Sequence, residues 1–449
     1  MKRYGNLYEK IISKENLYLA YEKAKKAKGS RKKAKIFAEH LDERIDRIHE
    51  QLINGTFRTS KYTVFKVYEP KERIICSLPF EDRIVHHAIM NILEPIWTKI
   101  FIEDTYSCIK GRGIHGCMDR VRNVMSKDME GTTYCLKIDI RKFYPTVNHR
   151  ILKCIVRRKI KDKRLLCLLD EIIDSAKRLP MEAIRYKNCG VPIGNYLSQY
   201  LSNLYLSYFD HWMKEVKYAK YYFRYADDIV VFSNDKELLK GLLVEMRNYL
   251  WKELKLEIKP NYQIFKVEDR GLDFVGYRFY HTHVLLRKSI KKRFCRHLAT
   301  LNKRKEILSF RELKKLMCSH IGWCKHANTK HLLSSMVGKY KDGRNGNVCE
   351  IPMSQILESI EYFGVVGRRI RLHSLSEEKI CVFGCQLAIP EKRNQSVIYV
   401  VGARLASNNQ PVFFHTQSKE FVIELSKCHK CFIVKNTGFV PCDAQLSLF

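Results

Sequence analysis

The stretch Tyr221-Tyr-Phe-Arg-Tyr-Ala-Asp-Asp-Ile-Val-Val-Phe232 sets two adjacent carboxylates between two runs of strand-forming residues. Its aromatic and β-branched flanks read as strands meeting at a short turn. Aspartate is poor inside a strand and suits a turn. Asp227 and Asp228 repel each other, and burying either one unpaired is costly, so a cation is expected beside them. Neighbours in an extended strand point to opposite faces, so a tight turn is needed to bring both toward one site.

A third carboxylate ends another apolar run, Thr132-Thr-Tyr-Cys-Leu-Lys-Ile-Asp139. Three carboxylates on the ends of adjacent strands suit a hard cation with oxygen ligands, Mg²⁺ above all. Two such ions roughly 3.5–4 Å apart clamp the attacking and leaving oxygens of an in-line phosphoryl displacement. Catalysis there is mostly positioning and charge neutralisation. A Tyr-Ala-Asp-Asp tetrapeptide alone also arises by chance, so the order of the surrounding motifs has to decide.

The chain has 449 residues, enough for several domains. Its 82 Lys and Arg against 48 Asp and Glu give a net charge of +34. Self-repulsion on that scale opposes compaction, and a polyanion, nucleic acid first, is the expected partner. No apolar run is long enough for a membrane span, and the N-terminal MKRYGNLYEK lacks the apolar core of a secretory signal. The 16 cysteines are scattered, Cys135, Cys154, Cys167 and Cys381 among them, and fit reduced thiols in a cytoplasmic protein.

Apolar periodicity predicts helix through 8–55, ended by Gly55, with a basic run from Lys23 to Lys35 that is either a solvated face or a phosphate-tracking one. Strands are expected over 60–78, with Pro70 and Lys71 at their turn, then a helix from Arg83 to Leu93. Two helical stretches over 150–178, a loop at Gly190–Asn195, and helices at Leu197–Lys214 and 236–254 follow. Strands at 263–267 and 272–280 precede a basic helical region over 284–340. A linker at Lys341–Asn347 leads to β-rich runs at Ile380–Gln386, Ser396–Val401, Pro411–Phe414, Glu420–Leu425 and Phe432–Lys435.

In this order the motifs resemble the reverse transcriptase family over about residues 30–335. Asp139 with its context is similar to the family's first catalytic motif, and Tyr225-Ala-Asp-Asp228 to its second. Between them Gly190-Val-Pro-Ile-Gly-Asn-Tyr-Leu-Ser-Gln199 resembles the loop-helix element beneath template and nucleotide. Upstream, Glu72-Arg-Ile-Ile75, Pro79-Phe-Glu-Asp-Arg-Ile-Val-His-His-Ala88 and Asp104-Thr-Tyr-Ser-Cys-Ile-Lys-Gly-Arg-Gly-Ile-His115 resemble fingers motifs of bacterial members. Gly271-Leu-Asp-Phe-Val-Gly-Tyr-Arg278 resembles the primer-gripping hairpin.

The resemblance implies an α+β right hand with fingers, a palm on an antiparallel sheet, a helical thumb and an added β-rich domain. The segments would be an N-terminal helical region 1–55, fingers and palm 56–283, thumb 284–340 and a C-terminal domain 348–449. It implies RNA-directed DNA synthesis by two-metal-ion nucleotidyl transfer, with Mg²⁺, or Mn²⁺ as a substitute, and deoxynucleoside triphosphates. Asp139, Asp227 and Asp228 would bind metal, joined by the Ile140 carbonyl. Lys71 and Arg73 would meet the triphosphate, or be surface charge, and their chemistry suits phosphate. Tyr144, with Phe143 as the fallback, would crowd the sugar 2′ position, or the two would be a core aromatic pair. Ile193 and Gly194 would lie at the nucleotide, Gly194 permitting close backbone approach. Ser198, Gln199, Gly276 and Tyr277 would face template or primer, or in the case of Ser198 and Gln199 be structural. Partners would be an RNA template, a DNA or RNA primer and a small accessory protein, with no membrane.

The chain departs from many relatives, which carry Gln-Gly and Ser-Pro where it has Ile193-Gly194 and Ser198-Gln199. That version, His86-His-Ala88 and Ser319-His-Ile-Gly-Trp-Cys-Lys-His-Ala-Asn-Thr329 resemble diversity-generating retroelement enzymes and related unclassified or defence-associated bacterial groups. The resemblance carries low fidelity with it, since Ile193 cannot hydrogen-bond the nascent pair. The family's proton-donating lysine is not plainly present: Tyr262 falls at its place in Leu256-Glu-Ile-Lys-Pro-Asn-Tyr262, with Lys259 nearby. No nuclease signature is found. Cys428-His-Lys-Cys431 with Cys442 is a weak zinc pattern. The tail Gln445-Leu446-Ser-Leu448-Phe449 resembles the peptide by which bacterial polymerases dock on the sliding clamp, or packs on its own domain. The rival function is a non-catalytic RNA-binding or splicing-assistance protein retaining the hand-like fold.

Overall fold

A computed structural model describes residues 3–26, 32–68, 72–180, 183–184, 186–302, 310–329 and 331–332, and the strand segments 379–390, 397–405, 411–416, 431–435 and 438–441. The chain divides into two compact units, Met1–Val284 and Leu285–Phe449.

Strands of the first unit begin with β1 (Thr63–Val67) and β2 (Arg73–Ser77), which form an antiparallel ribbon. They continue as β3 (Thr105–Tyr106), β4 (Tyr134–Asp139), β5 (Tyr221–Tyr225), β6 (Asp228–Ser233) and β7 (Gln263–Lys266). These five make one sheet in the order β3-β5-β6-β4-β7, with β3 parallel to β5 and the other pairs antiparallel. The centre of the sheet is apolar where both faces are covered: Ile229, Val230, Val231 and Phe232 of β6 are all buried. Then β8 (Leu272–Phe274) and β9 (Tyr277–Phe279) pair as a hairpin where the sequence suggested one strand over 272–280; Val275 and Gly276 turn the chain with φ of +41° and +92°.

Helices cover the sheet. The helix Tyr196–His211 is buried along most of its length, and its partner Phe80–Thr98 buries Ile84, Val85, Ala88, Ile89 and Leu93 beside it. The latter runs about a turn beyond each end of the stretch the periodicity suggested. Lys236–Leu254 begins at Asp235, whose Oδ1 accepts the amides of Glu237 at 2.8 Å and Leu238 at 3.3 Å, and ends at Lys255 in the left-handed region. The helical pattern over 8–55 is divided into Tyr8–Ile12, Lys14–Lys25, Lys32–Glu39 and Leu41–Ile53. Ser13 makes the first break: its extended backbone and its Oγ, 3.3 Å from the Asn16 amide, start a new helix.

In the second unit, β10 (Val284–Leu286) lies at the boundary and helices Lys288–Asn302 and Phe310–Cys324 follow. Further on, β11 (Lys379–Pro390), β12 (Val397–Leu405), β13 (Pro411–Thr416), β14 (Cys431–Lys435) and β15 (Gly438–Pro441) form an antiparallel sheet in the order β13-β12-β11-β14-β15. The expected strand Glu420–Leu425, Cys428, Cys442 and the clamp-like residues Gln445, Leu446, Leu448 and Phe449 lie outside the described residues, as does Lys71. Among the described residues no helix is long and apolar enough to cross a membrane.

Candidate active site

The opening stretch folds as a hairpin in which Tyr225 pairs with Asp228, so Ala226 and Asp227 are its two-residue loop. Ala226 has φ of +54°, as the first loop residue of the turns that suit a twisted hairpin requires. Register then does what the sequence could only suggest: Asp139, the last residue of β4, stands directly opposite Asp228, the first of β6. The Ile140 amide donates to the Asp227 carbonyl at 3.3 Å. That bond makes Asp139 and Asp228 a non-hydrogen-bonded pair, the class with Cα atoms about 4.5 Å apart and side chains closest.

A lysine joins them. The segment after Lys255 runs along the end of β4: Arg141 N donates to Glu257 O at 2.8 Å and Lys259 N to Asp139 O at 2.9 Å. This sets the Lys259 ammonium 2.5 Å from Asp139 Oδ1, both side chains being about one-third exposed (33% and 30%). Asp139 Oδ1 is itself buried, and the Lys259 ammonium is the cation it meets. Ile140 faces Ile258 in a bridge made by those two flanking bonds, which leaves its carbonyl outside that ladder.

Burial, then the nearby charges of Asp139 and Asp228, push the Asp227 carboxyl up to about 6, against the pull of Lys259. The sign of the consequence follows. A folded carboxyl that holds its proton more tightly than the unfolded one, at 3.8, loses stability as pH rises from about 4 to 6. The deficit is complete above that window and absent below it. Asp227→Asn should therefore be more stable than the wild type at pH 8 by ~1–3 kcal/mol and equal to it near pH 3.5, as read by urea unfolding in chelator. Equal stability at both pH values would show that Asp227 is not under charge strain.

Among the described residues no group of three or more His, Cys, Asp or Glu side chains is arranged to hold a metal ion. The backbone collects the three aspartates at one strand end, while the Asp139 side chain is turned to Lys259. Their donor chemistry nevertheless suits a hard divalent cation: all oxygen, mutually repelling, with a buried Asp139 oxygen that already meets a positive charge, the Lys259 ammonium.

The other expected positions divide. Tyr144 is half-buried and packs edge-on to Phe143 at 5.5 Å; Phe143 is core. Burial, Cys108 and Asp227 raise the Tyr144 phenol while Arg224 and Arg73 lower it, which sets the ring among these groups. Arg73 opens β2 and is exposed. The Ile193 carbonyl accepts the Cys76 amide at 2.8 Å, tying the loop to β2. The tight approach expected of Gly194 is to that strand: at φ of +116° its missing Cβ would stand 3.2 Å from the Cys76 carbonyl oxygen. Ser198 is buried. Gln199 lines a cavity of about 280 Å³ with Lys23, Arg83, His87 and Tyr196. Tyr277 corrects the reading of 276–277 as primer contacts: its ring is fully buried against Phe279, so only the turn at Gly276 remains for that role.

The sequence puts Tyr262 at the place of the family's lysine with Lys259 nearby; the Tyr262 ring lies 4.6 Å from the Arg247 guanidinium, and it is Lys259 that meets Asp139. Arg224, buried in β5, is the feature that sequence reasoning misses; its signal is a charge within an apolar run.

Residues 65–279 match the family described as "Reverse transcriptase (RNA-dependent DNA polymerase)". "Protein YkfC" of Escherichia coli (strain K12) is 26% identical over 268 residues, 51% of this chain and 70% of that protein. "Group II intron-encoded protein LtrA" of Lactococcus lactis subsp. cremoris is 23% identical over 223 residues, 48% of this chain and 36% of that protein. The chain thus spans little more than a third of that second relative. Apo telomerase from Candida Tropicalis aligns at a TM-score of 0.40 with 13% identity, over 66% of this chain and 58% of that one. The expected fold class holds: α+β with an antiparallel palm-type sheet, of the right-hand polymerase kind.

Proposed function

We propose that the chain is an RNA-directed DNA polymerase whose reaction centre is the end of the sheet where Asp139 meets Asp228. The observation that carries this reading is the register itself, which brings a carboxylate from a distant strand to face a two-aspartate hairpin. Asp139, Asp227, Asp228 and the Ile140 carbonyl would hold divalent cations, Mg²⁺ first and Mn²⁺ as a substitute. When bound, they supply charge neutralisation at the primer 3′ oxygen and the triphosphate.

The chain's own residues do the rest. Arg73, with Lys71, binds the triphosphate. Tyr144 packs under the sugar and excludes a 2′-hydroxyl. Ile193 and Gly194 hold the fingers ribbon β1–β2 over the nucleotide. Lys259 brings a proton to the centre, placed by its own backbone bond to Asp139. The basic surface implied by a charge of +34 holds RNA template and primer. The setting is a bacterial retroelement or defence system copying its own RNA in the cytoplasm, aided by a small accessory protein and by a sliding clamp engaged through residues 445–449.

A second reading has one observation behind it, the similarity to an intron-encoded protein, and would make the chain a splicing-assistance or RNA-binding protein. Primer extension on a defined RNA template, with deoxynucleotides and Mg²⁺, separates the two. Template-complementary DNA supports the polymerase, and the same assay with Tyr144→Ala should show ribonucleotide use rising by about 10–100-fold. RNA binding with no extension from any DNA or RNA primer supports the second reading.

A further inference from the structure

Arg224 lies mid-strand in β5 with its side chain wholly buried. A guanidinium survives there only if its charge and its five N–H groups are met. Nε donates to Asp210 Oδ1 at 2.7 Å and Oδ2 at 3.0 Å, and Nη2 to Asp210 Oδ2 at 2.6 Å and the Asn203 carbonyl at 3.3 Å. Nη1 donates to Asn203 Oδ1 at 3.0 Å and to the Ala226 carbonyl at 3.0 Å. Asp210, equally buried, also accepts Tyr222 OH at 2.6 Å and Thr105 Oγ1 at 3.1 Å. Asn203 donates its Nδ2 to the Ser107 carbonyl at 2.9 Å.

The two ends of this network are both strained. Ala226 has φ of +54°, and Ser107 and Cys108 have +86° and +58°. Residues with a Cβ are poorly accommodated there and stay only where their surroundings over-determine them. A buried ion pair serving packing alone could be replaced by apolar groups of similar volume. This one spends a donor on the carbonyl of the turn that carries Asp227 and Asp228.

We propose that Arg224, held by Asp210 and Asn203 of the helix Tyr196–His211, is a positioning residue for the Ala226–Asp227 turn. It acts through the Ala226 carbonyl and fixes the direction in which the two aspartates leave the hairpin. The catalytic half of this inference rests on the polymerase reading above; the conformational half does not.

The test is the full-length double variant Arg224→Met with Asp210→Asn, which removes both buried charges together and keeps an acceptor for Tyr222. Arg224→Lys is its companion, retaining the charge while being too narrow a donor to span Asp210 and Ala226. Amide hydrogen exchange at 225–229, read without nucleic acid, should speed up by about tenfold or more in both, with exchange in Phe80–Thr98 and Lys236–Leu254 unchanged. The kcat for primer extension should fall by about 10–100-fold, with KM for deoxynucleotides and primer–template affinity within about threefold. Hairpin exchange and kcat at wild-type values in either folded variant would overturn the proposal. So would exchange that rises evenly across the unit, the mark of a merely structural role. If the wild type extends no primer, the polymerase reading fails while hairpin exchange still decides the positioning role.

Discussion

Asp139→Asn, Asp227→Asn and Asp228→Asn are each expected to lower single-turnover primer extension by about 10³-fold or more. The magnitude follows from the chemistry: neutralising charge at the reacting oxygens is worth several kcal/mol, and each 1.36 kcal/mol is a factor of ten. Asparagine keeps the shape of each side chain, so the strand pairing of Asp139 with Asp228 and the packing beneath it should persist. RNA affinity at constant salt should therefore stay within about threefold, because it comes from the basic surface rather than from these three positions. That split separates a reaction centre from a binding surface. Should extension survive any one substitution undiminished, that aspartate has no part in the chemistry.

The second large effect concerns Lys259. Its backbone amide is bonded to the Asp139 carbonyl and its ammonium stands 2.5 Å from Asp139 Oδ1, so it is delivered to the centre twice over. A proton donor held at the reaction site contributes about 10²–10⁴-fold. Lys259→Met should lower kcat by at least about 10²-fold, while Lys259→Arg restores part of the rate. Tyr262→Phe should stay within about threefold, since that ring is engaged with Arg247. The opposite ranking, with Tyr262→Phe the slower enzyme, would return the role to the tyrosine.

How much of this was legible beforehand depends on the range over which each feature is encoded. The hairpin at 221–232 was readable because β-branched flanks and a turn-forming pair are local signals. The helix at 236–254 was readable because its cap residue and its end both lie in the sequence. Strand order was not: that β4 sits between β6 and β7 is fixed by which apolar faces bury together, and no local pattern states it. The same holds for Lys259 and Arg224. Each lies a few residues from a motif, but its partner, Asp139 or Asp210, arrives from a distant segment through backbone pairing or helix packing. Tyr277 shows the reverse error. A resemblance placed it at the primer, while the hairpin it belongs to turns its ring into the core.

The most direct test of the convergence of these strands is a cross-strand disulfide. Facing non-hydrogen-bonded residues lie within the Cα separation a disulfide spans, about 4.4–6.8 Å. Full-length protein carrying Asp139→Cys with Asp228→Cys, oxidised mildly and mapped by peptide mass spectrometry, should show those two positions linked in high yield. Linkage of either cysteine to another part of the chain, with none between them, would contradict the shared site on which the polymerase reading stands.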